Sequence, residues 1–317
     1  RTISNEEDLE LERQLKLRLN NIKTVKTEVG DVYDCVDIRK QPSLDHSSLR
    51  NHEIQMSSSR PKRKTSETSS VSTHSRVAQK DLITVDCPQG TVPIRRIGKE
   101  DLLRAKSFTE SYASNIHPMT KETPGEHYAI VRSKNNERVE GVAAEISLHS
   151  LDDVGASQSS SAQVWIDKRV GNDYASLQPY LQLLWMHYVS FEDRKTSNWW
   201  LLINEHVQVG YWPAGLLGNS LNDGASYVAW GGLAQGPAND ASPKMGAGHF
   251  GNFDYYEDAH FTQLQIVNTT FFWVNPKEDV VEQFVDNENC YYVNYNGFRK
   301  GKGHTFLYGG PGGNCGL

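Results

Sequence analysis

The sequence has 317 residues, of which 37% are hydrophobic and 23% charged, a mixture typical of globular proteins and long enough for two domains. Its 25 glycines and 12 prolines exclude a collagen-like or wholly disordered chain. The 33 basic and 39 acidic residues give a net charge of −6, so we expect no nucleic-acid partner, since that needs a basic face. No apolar run is long enough to cross a bilayer, and we expect a soluble protein without a membrane segment.

The N-terminal third predicts a small mixed α/β unit. Residues 5–21 are typical of a helix, because acids occupy the first turn and leucines recur along one side. Strand-like segments follow at residues 23–29 and 32–38, and a second helix is predicted over residues 99–113.

Residues 57–80 are predicted to be a disordered linker. The stretch 57–76 is rich in serine and threonine, and it cannot bury enough apolar surface to offset its ordering entropy. Within it, the basic run RPKRK at 60–64 is interpreted as solvated and open to proteases, rather than as a nuclear-import or nucleic-acid patch.

From residue 128 onward the pattern changes to short stretches in which apolar and polar residues alternate. Such stretches occur at residues 128–132, 162–166, 207–211 and 226–230, separated by clusters of Asp, Asn, Gly and Pro. Many short strands with glycine-rich turns predict an all-β sandwich or barrel. We find no dinucleotide fingerprint, P-loop or nucleophile elbow.

The four cysteines indicate the cellular compartment. Cys35 and Cys87 lie in the first third and Cys290 and Cys315 near the C-terminus, without the spacing or the histidine cluster of a zinc site. Two local disulfides in a secreted protein fit better, and four buried free thiols are the alternative. The sequon at Asn268 favours secretion and predicts a glycan there. The sequence starts at Arg1 without the apolar core of a signal peptide, so either a leader has been removed or the chain is a fragment. We expect neither a metal nor a cofactor.

Seven motifs, taken in order, resemble the neprosin family of plant proteins. They are DCVD at 34–37, CPQGTVPIRR at 87–96, EHYA at 126–129, NWW at 198–200, GYWP at 210–213, WGG at 230–232 and MGAGHF at 245–250. Their order and spacing match that family over roughly residues 6–56 and 80–317.

The resemblance implies a secreted zymogen with three parts. Residues 1–97 correspond to an activation domain that includes the linker 57–80, residues 98–122 to a connecting helix and cleavage region, and residues 123–317 to a shortened antiparallel β-sandwich of the catalytic type. It also implies the pairings Cys35–Cys87 and Cys290–Cys315. Characterised members are glutamic endopeptidases that cut next to proline. A monomeric hydrolase acting on a peptide or protein, possibly proline-rich, is therefore the expected type.

Such enzymes hold two glutamates in a cleft on one sheet. One ionised carboxylate takes a proton from the attacking water, and its protonated partner donates to the carbonyl oxygen or the leaving amine. In this sequence the family positions read Leu233, directly after Gly231-Gly232, and Gln178, beside a block of strands that is missing relative to the family. Neither leucine nor glutamine can transfer the proton, and we expect weak or absent activity.

Several interpretations stay open at this point. The chain is a working peptidase that uses other acids, an inactive peptide-binding or structural protein, or a carbohydrate-binding protein with Trp212 or Trp230 as a platform. The missing block is also explained by a gene-model error. The other acids of the β domain are Glu145, Glu205 and Glu257. His249, in the MGAGHF motif, is interpreted as structural.

Overall fold

A computed structural model describes residues 9, 12–13, 15, 21–27, 30–63, 85–99, 102, 123–134, 137–151, 153–155, 157–170, 173–177, 185–218 and 220–315. The chain divides into two compact units. Unit 1 comprises Arg1–Met56 and Asp81–Ile116, and unit 2 comprises Ser57–Lys80 and His117–Leu317. The two predicted helices lie largely outside the described residues. Of their described residues, Asn21 is not helical and the others are: Leu9, Glu12, Arg13, Leu15, Lys99 and Leu102.

Unit 1 contains a three-stranded antiparallel sheet in the order β1-β2-β3. Its strands are β1 (Lys23–Lys26), β2 (Val32–Asp37) and β3 (Thr91–Arg95). Short 3-10 helices follow β2 at Ile38–Lys40, Pro42–Asp45 and Ser47–Leu49.

An ion pair ties the end of β3 to the middle of β2. The Arg96 guanidinium donates to both oxygens of Asp34, at 2.8 and 2.5 Å. This pairing, with hydrogen bonds from Thr24 and Asn21, lowers the pKa of the Asp34 carboxyl against the opposing effect of burial. The DCVD and IRR segments of the sequence therefore meet in one polar cluster.

Unit 2 is built from strands that all pair antiparallel within two sheets. The strands are β4 (Glu126–Ser133), β5 (Gly141–Ser147), β6 (Ser159–Val170), β7 (Asp173–Leu177), β8 (Trp185–Glu192), β9 (Trp199–Ile203), β10 (Val207–Trp212), β11 (Tyr227–Gln235), β12 (Met245–Gly246), β13 (His260–Val267), β14 (Trp273–Val274), β15 (Val281–Val285), β16 (Tyr292–Arg299) and β17 (Gly303–Gly310). Short 3-10 helices occur at Ala214–Leu216 and Glu278–Val280.

The first sheet has five strands in the order β15-β4-β11-β6-β7, and the second has nine in the order β10-β9-β8-β5-β13-β17-β12, with β14 on β13 and β16 on β17. Buried side chains from both sheets belong to one hydrophobic cluster, the shared core. Trp230 of β11 is fully buried in it, and the rings of Phe261 and Phe306 stack there with centroids 4.9 Å apart. The structure confirms a mostly β fold with antiparallel sheets.

Both disulfides implied by the resemblance are confirmed. Cys35 and Cys87 are bonded with Cα atoms 5.5 Å apart, and Cys290 and Cys315 with Cα atoms 5.8 Å apart. No free cysteine remains among the four, all of which are described, so the alternative of free thiols is wrong.

The predicted linker is described only over residues 57–63, and residues 64–80 lie outside the described residues. Residues 57–63, which we call the basic segment, pair directly with the C-terminal part of unit 2. The Lys62 N–H donates to the Phe271 carbonyl at 2.9 Å, and the Lys62 carbonyl accepts from the Trp273 N–H at 2.9 Å. Arg60, Lys62 and Arg63 are exposed, in agreement with a solvated basic run, while backbone pairing holds Lys62 in place.

The sheets of unit 2 approach each other closely at Gly232 of β11. A Cβ atom added there would lie 2.4 Å from Met245 Sδ and 2.8 Å from the Tyr308 ring, both in the nine-stranded sheet. The need for glycine at the third position of the WGG motif therefore has a steric explanation. Across the described residues, no helix has the length and apolar character needed to span a membrane.

We expect Gly232→Ala to lower the free energy of unfolding of unit 2 by about 1–3 kcal/mol, because the added methyl overpacks the space between the sheets. Urea unfolding followed by tryptophan fluorescence measures it. Gly236→Ala is the matched control, since the nearest atom to a Cβ there is Gln158 Cγ at 3.3 Å. Equal midpoints for the two variants would contradict the steric explanation.

Candidate functional site

Leu233 lies on the outer face of the five-stranded sheet. Its strand neighbours Trp230 and Ala234 belong to the shared core, and strand alternation therefore points Leu233 the other way. It pairs with Tyr128 of β4 and Ser161 of β6, and it is only 2% exposed. We call the outer-face residues around it the Leu233 face: Glu126, Tyr128, Ser161, Gln163, Leu233 and Gln235.

The Leu233 face is polar on both sides of the leucine. Glu126 is buried, and its carboxylate accepts from Gln235 Nε2 at 2.8 Å and from the Tyr128 hydroxyl at 3.1 Å. On β6, Gln163 Nε2 donates to Ser161 Oγ at 2.7 Å. The Gln163 Oε1 atom is buried and has no hydrogen-bond partner among the described residues.

Acid–base hydrolysis by a carboxylate pair needs two carboxyl groups within a few ångströms of each other. Among the described residues, the buried carboxylates of this outer face are Glu126 and Asp167. Their partners on β11 are Gln235 and Tyr227, at opposite ends of that strand. At about 3.3 Å per residue the two carboxylates are on the order of 25 Å apart. The buried carboxylates in the described part of this face therefore do not form a close pair.

Only one of the two positions that the resemblance assigns to glutamate lies among the described residues. Leu233 is described and lies on the face just defined, whereas Gln178 lies outside the described residues, directly after the end of β7 at Leu177.

The other acids proposed from the sequence lie elsewhere. Glu145 is on β5, on the outer face of the nine-stranded sheet, since its neighbours Ala144 and Ile146 belong to the shared core. Glu205 is in the turn between β9 and β10. Glu257 accepts from Asn252 Nδ2 at 2.6 Å in the loop after β12. None of these three glutamates belongs to the Leu233 face.

Trp212 and Trp230, the proposed sugar platforms, and His249 of the MGAGHF motif are all described in the structure. Trp230 is fully buried and cannot stack on a sugar, and Trp212 packs partly against the shared core. His249 Nδ1 lies 2.9 Å from the Phe250 carbonyl oxygen and 3.8 Å from a carboxylate oxygen of the buried Asp258. Within the described residues, no group of three or more His, Cys, Asp or Glu side chains is arranged to hold a metal ion.

Sequence reasoning missed a Ser–His–Asp arrangement. Ser242 Oγ lies 2.9 Å from His127 Nε2, and His127 Nδ1 lies 2.6 Å from Asp286 Oδ2. The Tyr128 N–H donates to the other oxygen of Asp286 at 2.6 Å. His127 is 4% exposed, and the ring 5.3 Å from it belongs to the fully buried Tyr291. Because buried rings enclose the imidazole, we interpret this cluster as a structural network. The EHYA motif marked its histidine, but the serine and aspartate are more than 100 residues away.

His187 lies on the outer face of the nine-stranded sheet, across from Glu145. Its Nδ1 atom is 3.5 Å from a carboxylate oxygen of Glu205, and its buried Nε2 has no hydrogen-bond partner in the described part of the chain. Burial lowers the pKa of His187 from 6.5 to about 4. The charges of Arg63 and His206 act in the same direction, and Glu205 acts against them.

The fold and the site define a mostly β, disulfide-bonded protein with a polar outer sheet face, on which the described buried carboxylates lie far apart. A family model described as Neprosin matches residues 163–311, and a model described as Neprosin activation peptide matches residues 24–136. The second match extends through β4, the strand that carries Glu126 and His127. The chain belongs to the neprosin family.

We expect a fluorophosphonate probe, which labels activated serines, to leave Ser242 unmodified, because His127, the base that would take the hydroxyl proton, is only 4% exposed. Ser242→Ala should cost about 1 kcal/mol of unfolding free energy, the usual value for one lost hydrogen bond. Intact-mass analysis after labelling is the measurement, with an active serine hydrolase as positive control. A mass increase that maps to Ser242 and disappears in His127→Gln would contradict the structural interpretation.

We expect the stability of unit 2 to fall with pH between about 6.5 and 4 because of His187. In this window the unfolded chain binds a proton that the folded histidine resists, and the loss is complete once the folded group is also protonated. The His187 contribution is about 2–3 kcal/mol. Urea unfolding at pH 7, 5.5 and 4 should show a shallower pH slope for His187→Gln than for the natural chain. His46→Gln, at an exposed histidine of unit 1, is the control, and identical slopes for the natural chain and His187→Gln would refute the assignment.

Proposed function

We propose that this chain is a neprosin-family protein of the proline-directed glutamic endopeptidase type in which catalysis is weak or absent. The observation that carries the proposal is Leu233. It follows the WGG motif directly, lies on the outer sheet face at 2% exposure, and replaces a carboxylate with an apolar side chain.

The chemistry of the face supports this proposal. A single carboxylate cannot both take a proton from water and donate one to the substrate in the same step. Glu126 is the nearest buried carboxylate along the strands, and Gln235 and Tyr128 already donate to its oxygens. Asp167 is too far along the sheet to act as its partner.

We propose further that the two sheets of unit 2 form a β-sandwich and that residues 1–97 are the activation domain of a secreted zymogen, cut within residues 98–122. The shared core supports the sandwich. The two disulfides support an oxidising compartment, where such bonds persist. The Asn268 sequon, in the turn between β13 and β14 with both following threonines exposed, supports glycosylation and secretion.

A second candidate function is the binding of a peptide or protein, possibly proline-rich, without cleavage. The specific observation in its favour is the basic segment, an extended stretch containing Pro61 that already lies against unit 2 through backbone hydrogen bonds. The burial of Trp230 removes one of the two platforms proposed for carbohydrate binding.

We expect no detectable cleavage of a proline-rich peptide by the natural chain at acid pH, before or after acid activation. Leu233→Glu combined with Gln178→Glu should raise the rate on the order of 100-fold, the usual size of a general acid–base contribution. Mass spectrometry of the digest identifies the cut bonds and the residue next to them.

Leu233→Gln with Gln178→Glu is the matched control, because it places a polar side chain at the buried position without a carboxyl group. Clear cleavage by the natural chain would overturn the proposal. In that event Glu126→Gln, Glu145→Gln, Glu205→Gln and Glu257→Gln would identify the acids that act.

A further inference from the structure

The basic segment belongs to the N-terminal part of the sequence but lies with unit 2 in the structure. Its Ser59 N–H donates to Asp193 Oδ2 at 2.6 Å, and Asp193 is fully buried. Three residues on, Lys62 forms a parallel bridge with Phe272 through both of its backbone groups. An extended peptide added to the edge of a β structure in this way is a recurring mode of peptide recognition.

Side chains add charge recognition to the backbone pairing. Arg63 donates to the Glu205 carboxylate at 2.5 Å and to Gln265 Oε1 at 3.2 Å, and its guanidinium lies 5.9 Å from the Trp273 ring centroid. Arg60 donates to the Glu205 backbone carbonyl at 3.0 Å. Both arginines of the segment thus meet the same residue in the β9–β10 turn.

The surface beneath the basic segment is formed by closely packed hydrophobic side chains. Trp273 belongs to a second cluster of buried hydrophobic side chains on the outer face of the nine-stranded sheet. Its other members are Ala143, Val189, Phe191, Trp200, Leu202 and Val267, with Tyr211 and Phe271 packed against them. The receiving groups therefore come from a packed sheet and its turns.

Neither disulfide joins the N-terminal part of the chain to the C-terminal part. Cys35–Cys87 closes within the N-terminal part and Cys290–Cys315 within unit 2. A cut within residues 98–122 therefore leaves two pieces that no disulfide joins. The N-terminal piece still carries the basic segment, and hydrogen bonds of the segment to Asp193, Glu205 and Phe271 reach the other piece.

We infer that unit 2 contains a binding site for an extended, arginine-containing peptide, formed by Asp193, Glu205, Gln265 and Phe271–Trp273, and that residues 57–63 occupy it as a built-in ligand. The site retains the N-terminal fragment after the chain is cut between the two units. This inference goes beyond the proposed function and does not depend on whether the chain cuts peptides.

The test uses the full chain with the recognition sequence of a specific protease inserted between residues 104 and 118. After cutting under non-reducing conditions at pH 7, size-exclusion chromatography shows whether the N-terminal fragment still elutes with unit 2. We expect retention in the otherwise natural chain. Addition of a synthetic peptide with the sequence of residues 56–64 should release the fragment in a concentration-dependent way.

Arg63→Ala should speed release of the fragment about tenfold, because charge-assisted hydrogen bonds and a cation–π contact are lost together. Arg50→Ala, at an exposed arginine of unit 1, is the matched control and should behave like the parent chain. Glu205→Gln should weaken retention to a similar extent. The exchanged pair Arg63→Glu with Glu205→Arg should restore much of it, which general damage to the fold would not allow.

Two results would overturn the inference. The first is loss of the N-terminal fragment from the parent chain immediately after cutting. The second is retention by Arg63→Ala and Glu205→Gln that equals the parent and resists the competing peptide, which would place the retaining contacts elsewhere.

Discussion

The pairing of β11 between β4 and β6 is the constraint on which unit 2 depends. Its register turns Trp230 into the shared core and Leu233 to the outer face, and a slip of one residue would exchange the two. Gly232 permits the close approach of the sheets beside it. Position 233 therefore lies on the polar outer face, where the register of β11 accommodates a leucine.

On the outer face of the nine-stranded sheet, charged side chains lie beside the second cluster of buried hydrophobic side chains. Arg63 neutralises Glu205, while His187 beside them is kept uncharged at neutral pH by burial, which lowers its pKa. Acidification adds a positive charge next to Arg63. Arg63, Glu205 and His187 thus lie together on a surface that is separate from the Leu233 face.

Local patterns in the sequence were reliable where the structure is local. Alternation at residues 128–132, 162–166 and 207–211 predicted stretches that lie within β4, β6 and β10. The disulfide pairing came from the resemblance to the neprosin family, and both bonds are present. Arg60, Lys62 and Arg63 are exposed, as the composition of the basic run indicated, but that composition carries no information about Phe271 and Trp273, some 200 residues later, whose backbone pairs with Lys62.

The order of amino acids settles the covalent and short-range properties of this protein: its cysteines, its alternating strands, and the absence of glutamate at position 233. Packing of the two sheets settles which distant side chains meet. It brings Ser242 and Asp286 to His127, separates Glu126 from Asp167, and places the basic segment on Glu205. The reason is physical. Strand register is chosen by burial summed over whole sheets, and no short stretch of sequence contains that sum.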